Sequence, residues 1–208
     1  MTTHLTDAQH ATLEGFVTAV EASPHNLVSK QARVELRERH LAESVAFAQR
    51  LPSSARRILD IGSGGGFPGL VIAILRPDTD VHLLDSTRKK AEFLRTVAAD
   101  LGITVAVHNG RAEELARTDL AGTFDVVTAR AVASLDRLIP WTLPFLRPGG
   151  EVFAIKGERW REELAEATAV LDRFGGRIVG SPDDDALAIP PGEEGVSPLV
   201  VRIARSST

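Results

Sequence analysis

A glycine-rich segment at residues 60–69, Asp-Ile-Gly-Ser-Gly-Gly-Gly-Phe-Pro-Gly, has the pattern best suited to binding a small molecule. It lies between a predicted strand and a predicted helix, the context in which a glycine pattern indicates a binding loop. Glycines allow sharp turns and a close approach of the backbone to a ligand. Because Gly62, Gly64 and Gly66 alternate, the segment differs from the G-x-G-x-x-G pattern of dinucleotide-binding loops. The spacing therefore favours a ligand without a pyrophosphate.

Two polar segments follow the next predicted strands. Asp85 ends the second strand, 23 residues after Gly62, where a carboxylate can accept hydrogen bonds from both hydroxyls of a ribose. Residues 109–113, Asn-Gly-Arg-Ala-Glu, follow the third strand, where a backbone amide can meet the edge of an adenine. Because the carboxyl ends of parallel strands meet at one edge of a sheet, we expect one crevice lined by these loops.

From residue 57 onwards the chain alternates between predicted strands and helices. Strands are predicted at 57–61, 81–84, 104–108, 124–129, 151–156, 177–180 and 199–204, and helices at 68–75, 87–101, 135–145 and 160–174. Strict alternation implies right-handed crossovers and a parallel sheet covered on both faces. The last two strands are separated only by a loop and should be antiparallel. The expected fold is α/β and Rossmann-like: a mostly parallel seven-stranded sheet with an antiparallel C-terminal strand.

Two helices are predicted ahead of the first strand. One begins at a capping box formed by Thr6 and Gln9, and the other spans 34–50. We divide the chain into a helical extension at 1–55 and an α/β domain at 56–208. Residues 28–60 carry seven basic and four acidic side chains in a chain of net charge −4, which predicts either a phosphate-binding patch or a solvated helical face. The patch would present basic residues towards solvent at the crevice rim: Lys30, Arg33, Arg37 or Arg39.

The composition excludes several classes of function. The 208 residues suffice for one well-buried domain, and no segment approaches the roughly 20 apolar residues of a membrane helix. The absence of cysteine excludes disulfides, thiolate metal sites and cysteine nucleophiles. No Asp, Glu or His cluster has metal-ligand spacing, so no metal is expected. Residues 1–11 are polar and lack the apolar core of a signal peptide, which predicts a cytoplasmic protein, and we expect a monomer.

Together these segments resemble class I methyltransferases that use S-adenosylmethionine, over residues 57–156. A closer resemblance, over roughly residues 25–157, is to the glucose-inhibited division protein B family. It is carried by residues 60–69, Leu-Leu-Asp-Ser at 83–86, Arg-Ala-Val-Ala-Ser-Leu at 130–135, Lys156-Gly157, His-Asn-Leu at 25–27 and Arg-His-Leu at 39–41. Members of that family methylate N7 of a guanine in 16S ribosomal RNA near the decoding centre, and losing the activity confers low-level streptomycin resistance in bacteria. The resemblance implies S-adenosylmethionine as cofactor and 16S ribosomal RNA or the small ribosomal subunit as partner.

The resemblance also implies roles for individual residues. Cofactor contacts are expected from Gly62, Ser63, Gly64, Phe67, Asp85, Ala112, Glu113 and Arg130. Of these, Asp85 would hold the ribose, and Ala112 with Glu113 the adenosine portion. RNA contacts are expected from Arg39, His40, Arg111, Arg130 and Lys156. Arg130 and Lys156 are also the candidates for a catalytic role. The family often has tyrosine and aspartate where this chain has His25 and Glu43, both in the part expected to face RNA.

Guanine N7 has a free lone pair in the major groove, so its methylation needs no prior removal of a proton and we predict no catalytic base. Alignment of N7, methyl carbon and sulfur is what the enzyme must supply, and orientation alone can contribute about 7–11 kcal/mol. Trp141 and Trp160 are interpreted as packing residues. Two alternatives are a class I methyltransferase acting on a small molecule or protein, and a non-catalytic nucleotide- or NAD-binding module. The basic N-terminal helices argue against the first, and the missing dinucleotide pattern against the second.

Overall fold

The computed structural model of the protein describes residues 4–24, 27, 35–130, 132–181, 183 and 199–206. Its first helix, α1 (Asp7–Ala22), begins at the predicted capping box, where the Thr6 hydroxyl accepts the Gln9 amide and the Gln9 side chain accepts the Thr6 amide. One stripe of α1 is buried: Leu13, Phe16, Val17 and Val20. The capping box and its helix are thereby confirmed.

Seven strands form one sheet in the order β3-β2-β1-β4-β5-β7-β6. They are β1 (Arg57–Ile61), β2 (Asp80–Asp85), β3 (Ala106–Asn109), β4 (Phe124–Arg130), β5 (Leu146–Lys156), β6 (Gly176–Gly180) and β7 (Leu199–Arg205). Strands β1 to β5 pair in parallel, whereas β7 is antiparallel to both β5 and β6. This confirms the predicted α/β, Rossmann-like fold with an antiparallel C-terminal strand. Strand β5 begins earlier than predicted because Leu146 already pairs with Phe124 of β4, and the pairing resumes at Glu151 and Val126 after an irregularity.

The remaining helices are α2 (Ala42–Arg50), α3 (Gly69–Leu75), α4 (Arg88–Asp100), α5 (Ala112–Leu115), α6 (Leu135–Thr142), α7 (Trp160–Glu166) and α8 (Thr168–Arg173), with a 3₁₀ turn at Leu143–Phe145. The prediction of one helix over 160–174 is wrong. The helix is interrupted at Ala167, which is fully buried, and the two helices on either side of it, α7 and α8, both pack against α6. No helix in the described part of the chain is long and apolar enough to cross a membrane.

Both faces of the sheet are covered, because its central strands are apolar on both sides. Ile58 of β1 lies in the core under α1 to α4, and its neighbour Leu59 lies in the core under α5 to α8. The N-terminal helices therefore share a core with the sheet. The ring of Phe16 in α1 lies 4.7 Å from that of Phe67 in the glycine loop, between centroids.

The prediction of one regular helix over 34–50 is also wrong within the described residues. Leu36–Leu41 form a π-helical turn, in which the His40 amide donates to the Glu35 carbonyl at 3.2 Å, and α2 follows it directly. The predicted start at Val34, together with His25, Lys30 and Arg33, lies outside the described residues. The Arg39 side chain lies within hydrogen-bond distance of two carboxylates, those of Glu35 and Glu43.

Candidate functional site

A cavity of about 1020 Å³ lies at the carboxyl ends of the parallel strands. Every residue predicted to bind cofactor or RNA lines it: Arg39, His40, Gly62, Ser63, Gly64, Phe67, Asp85, Arg111, Ala112, Glu113, Arg130 and Lys156. The predicted convergence of the strand-end loops is therefore confirmed. What each residue binds stays a prediction.

The glycine loop is fixed to the end of β2 by its backbone. The amides of Gly62 and Ser63 both donate to the Leu84 carbonyl, at 2.8 and 3.1 Å. Gly62 has a φ of +71°, and a Cβ atom there would lie 2.7 Å from the side chain of Val132. The position therefore requires glycine for both its backbone conformation and its space.

Asp85 has two roles at the end of β2. It is 5% exposed, and its Oδ2 accepts the Gly64 amide at 2.9 Å while its Oδ1 accepts the Thr87 amide at 2.8 Å. Since a carboxylate oxygen has two acceptor positions, each oxygen can still accept a further donor. Asp85 thus braces the glycine loop and offers acceptors to a ligand in the cavity.

Asp60, at the start of the glycine loop, is the most strongly perturbed carboxyl of the region. Burial raises its pKa to about 6. The hydrogen bond that Thr128 donates to its Oδ1 at 2.7 Å acts in the opposite direction and lowers the pKa. A carboxyl with a pKa near neutrality is typical of a general base. However, Asp60 is 1% exposed and is not among the cavity-lining residues. Its pKa therefore reflects burial beneath the loop.

The start of α5 forms another part of the wall. Ala112 is buried, while Arg111 is 63% exposed and lies 3.3 Å from the Glu113 carboxylate. A backbone hydrogen bond at the helix start lowers the pKa of Glu113, and bonds from Arg111 and Trp141 lower it further. Trp141 is half-buried and lines the cavity. Its interpretation as a packing residue does not predict this position. Trp160, by contrast, is buried as predicted.

Arg130, at the end of β4, is held by the N-terminal part of the chain. Its Nη2 lies 2.8 Å from the Glu43 carboxylate and contacts His40 Nδ1, and its Nη1 donates to the Ser44 hydroxyl at 3.4 Å. Burial lowers the pKa of Arg130 to about 10, and repulsion from Arg39 adds to this. Arg130 therefore remains charged at neutral pH, and Glu43 is its counterion.

Glu43 bridges two arginines and was missed as a site residue. Its other oxygen accepts Arg39 Nε at 3.1 Å, so this 9%-exposed carboxylate joins the rim of the cavity to Arg130. The i, i+4 spacing of Arg39 and Glu43 predicts their ion pair, but no local pattern predicts a partner 87 residues away. Arg39, 54% exposed, fulfils the expectation of a basic residue at the rim. Arg37 does not, because it pairs with Glu14 and Glu21 of α1 and does not line the cavity.

Lys156, at the end of β5, is 5% exposed. Its ammonium lies 2.6 Å from the Glu163 carboxylate of α7 and donates to the Ala133 carbonyl at 2.7 Å. The same carboxylate accepts the Leu135 amide at 3.0 Å. The pair therefore holds the loop that follows Arg130, which favours a positioning role. A direct role of Lys156 in catalysis or RNA binding stays a prediction. Among the described residues, no group of three or more His, Asp or Glu side chains is placed to hold a metal ion.

Comparisons with known proteins agree with this geometry. Residues 9–176 match the family model for rRNA small subunit methyltransferase G, also called GidB. The protein named ribosomal RNA small subunit methyltransferase G of Sorangium cellulosum is 53% identical over 71% of this chain, and the alignment spans 63% of that relative. Its counterpart in Halorhodospira halophila is 45% identical over 76% of this chain and 75% of the relative.

A solved structure of a ribosomal protein L11 methylase from Lactobacillus delbrueckii subsp. bulgaricus has a TM-score of 0.59 to this chain, with 20% identity and 81% of each chain covered. At that identity the likeness shows the fold, which is that of a class I methyltransferase. The family match covers most of the α/β domain and α1, and it includes every residue of the predicted site. The chain therefore belongs to the rRNA small subunit methyltransferase G, or GidB, family.

Proposed function

We propose that this chain transfers a methyl group from S-adenosylmethionine to N7 of a guanine in 16S ribosomal RNA near the decoding centre. The observation that carries the proposal is the single cavity in which the glycine loop, Asp85, the start of α5 and Arg130 converge. Small-molecule pockets commonly measure about 300–1,000 Å³. At about 1020 Å³ the cavity lies at the upper end of that range, which leaves room for a target base beside a cofactor.

The residues present fit S-adenosylmethionine. Asp85 offers carboxylate acceptors for the two ribose hydroxyls, and Ala112, with its small side chain, leaves space for the adenine. Gly62 and Gly64, with φ of +71° and +52°, carry no side chain, which would leave space beside the loop for the methionine portion. Glu113 and Trp141 would border the adenosine portion. When bound, the cofactor supplies an electrophilic methyl group on a positively charged sulfur.

The protein's contribution to the reaction is alignment. Methylation at N7 would use the free lone pair of that nitrogen, so the residues of the cavity would need only to orient the base and exclude water. No proton moves, so no base is required. Arg130 lies at the cavity wall, fixed by Glu43 and His40, where its charge would orient RNA or cofactor. Lys156 and Glu163 would hold the adjoining loop in place.

The alternatives have less support. A methyltransferase for small molecules or proteins would use the N-terminal helices as an apolar lid, whereas Glu35, Arg39, His40 and Glu43 line the cavity from that side. The family match and the glycine spacing argue against an NAD-binding module. We further propose that the substrate is 16S ribosomal RNA or the small ribosomal subunit, and that the protein acts in the cytoplasm as a monomer. In this proposal residues 1–55 are the RNA-facing part.

The test is single-turnover transfer of labelled methyl groups to small ribosomal subunits purified from a strain that lacks the enzyme. We expect label at one guanine N7, and a rate that stays flat from about pH 6 to 9. Arg130→Ala should lower that rate at every pH, whereas Asp60→Asn should leave the profile flat. A rate that rises with pH, and loses that dependence in Asp60→Asn, would reveal a general base and refute N7 as the target atom.

A further inference from the structure

A group of basic side chains borders the cavity on the side of Asp85. Arg88, Lys89 and Lys90 open helix α4, three residues after Asp85, and Arg111 precedes α5. Lys90 and Arg111 line the cavity itself. We call these four residues the basic rim.

The cations of the basic rim have few carboxylate partners: Arg88 and Arg111 pair with one each, and Arg111 lies 3.3 Å from Glu113. Arg88 is 79% exposed and its nearest carboxylate, on Glu92, lies 3.6 Å away. Over the described ranges of the chain, Lys89 and Lys90 make no ion pair or side-chain hydrogen bond. Arg37 and Arg39 of the N-terminal segment differ, because each is bound by two carboxylates. A cation that is paired with carboxylates attracts phosphates less than an unpaired cation does, because the negative carboxylates reduce the positive potential around it.

The positions of three of these cations are unfavourable for the helix they begin. The amino end of a helix carries partial positive charge, so acidic residues are stabilising there and basic residues are not. The first turn of α4 contains no acidic residue. Residues that are unfavourable for their local structure and lack a compensating contact are expected at functional sites. An anionic partner would supply the missing compensation for the basic rim.

We propose that the basic rim is the surface on which the RNA substrate places its phosphates. The inference rests on the proposed function, and it moves the main electrostatic contact from the N-terminal segment 28–60 to the start of α4. Lys90 and Arg111 lie in the wall of the cavity and Arg88 and Lys89 adjoin Lys90 in the chain, so these cations complement the phosphate backbone next to a base inserted beside the cofactor. Such contacts position a nucleic acid without reading its sequence.

The experiment measures binding of small ribosomal subunits by filter binding at several salt concentrations. The variant is Arg88→Gln/Lys89→Gln, which removes two cations that do not line the cavity. The control is Arg117→Gln/Arg173→Gln, which removes two exposed cations elsewhere on the surface. Each phosphate contact contributes about 0.7–0.9 to the slope of log K against log salt. We expect the variant to lower that slope by about 1.4–1.8 and the control to leave it unchanged, with S-adenosylmethionine affinity unaltered in both.

Two further results would overturn the inference in different ways. If the wild type binds and methylates small subunits but the variant keeps the wild-type slope, the phosphates lie elsewhere and the proposed function stands. If the wild type binds S-adenosylmethionine but neither binds nor methylates small subunits, the proposed function fails and the inference fails with it. Unfolding by urea supplies a second readout, since removal of cations from a helix start should not lower stability.

Discussion

The carboxylate of Glu43 offers the sharpest test of how the site is held together. Replacement by glutamine keeps the shape of the side chain and removes its charge, leaving Arg130 without a counterion while its side chain is 14% exposed. Removing one partner of a buried ion pair costs about 3–5 kcal/mol, because the other charge remains buried. Since the Arg130 guanidinium borders an open cavity, we expect the lower end of that range, about 3 kcal/mol.

The assay is equilibrium unfolding in urea. With a denaturant slope of about 2 kcal/mol/M, a loss of about 3 kcal/mol lowers the midpoint by about 1.5 M. Glu35→Gln is the matched control, because Glu35 also pairs with Arg39 but lies on the surface, where an ion pair contributes about 0.2–1 kcal/mol. Glu43→Asp keeps the negative charge and should therefore lose less stability than Glu43→Gln.

A double variant separates the ion pair from other effects of the substitution. If Glu43 stabilises the protein through Arg130, Glu43→Gln/Arg130→Gln should be more stable than the sum of the two single losses implies, by about 1 kcal/mol or more. Equal losses for Glu43→Gln and Glu35→Gln would refute the bridge, as would additive losses in the double variant. If Glu43→Gln lowers the rate of methyl transfer but leaves the affinity for S-adenosylmethionine unchanged, Glu43 acts by holding Arg130 where it orients the RNA.

Three further predictions test the glycine loop and the carboxylates beside it. Asp85→Ala should weaken S-adenosylmethionine binding roughly 10- to 150-fold in calorimetry, because a hydrogen bond to a charged group contributes about 1.5–3 kcal/mol; unchanged affinity would remove Asp85 from the site. Gly62→Ala should lower the free energy of unfolding by more than Gly149→Ala, since both have positive φ, which costs about 1–2 kcal/mol, but only Gly62 also meets a neighbouring side chain. Because burial raises the pKa of Asp60 to about 6 in the folded state, the contribution of Asp60 to stability should fall as pH rises from about 4 to 6. When the pH is lowered from 7 to 5, the free energy of unfolding of the wild type should rise by about 1 kcal/mol relative to that of Asp60→Asn. An identical pH dependence in the two proteins would refute the raised pKa of Asp60.

Much of the fold could be predicted because its determinants are local. The capping box of α1, the apolar strands and the glycine loop are each specified by residues close together in the chain. The position of Asp85 could be predicted in the same way, because locating the apolar strand in the sequence also locates the residue at its end. The helix boundaries at 36–41 and at Ala167 were not predictable in this way. A π-helical turn and a helix break both depend on what the segment packs against.

The electrostatics of the site could not be predicted from charge counts, and the N-terminal segment shows why. A sum over residues 28–60 gives a positive segment, yet in the fold Arg37 and Arg39 are bound by carboxylates from α1 and α2. The basic rim has fewer cations, but two of them, Lys89 and Lys90, have no carboxylate partner among the described residues, and Arg88 and Arg111 each pair with one carboxylate. Which cations remain free depends on contacts such as that between Glu43 and Arg130, which only the folded chain creates. In this chain of net charge −4, the cations without a carboxylate partner beside the cavity are therefore a better guide to an anionic partner than the sum of charges along any segment.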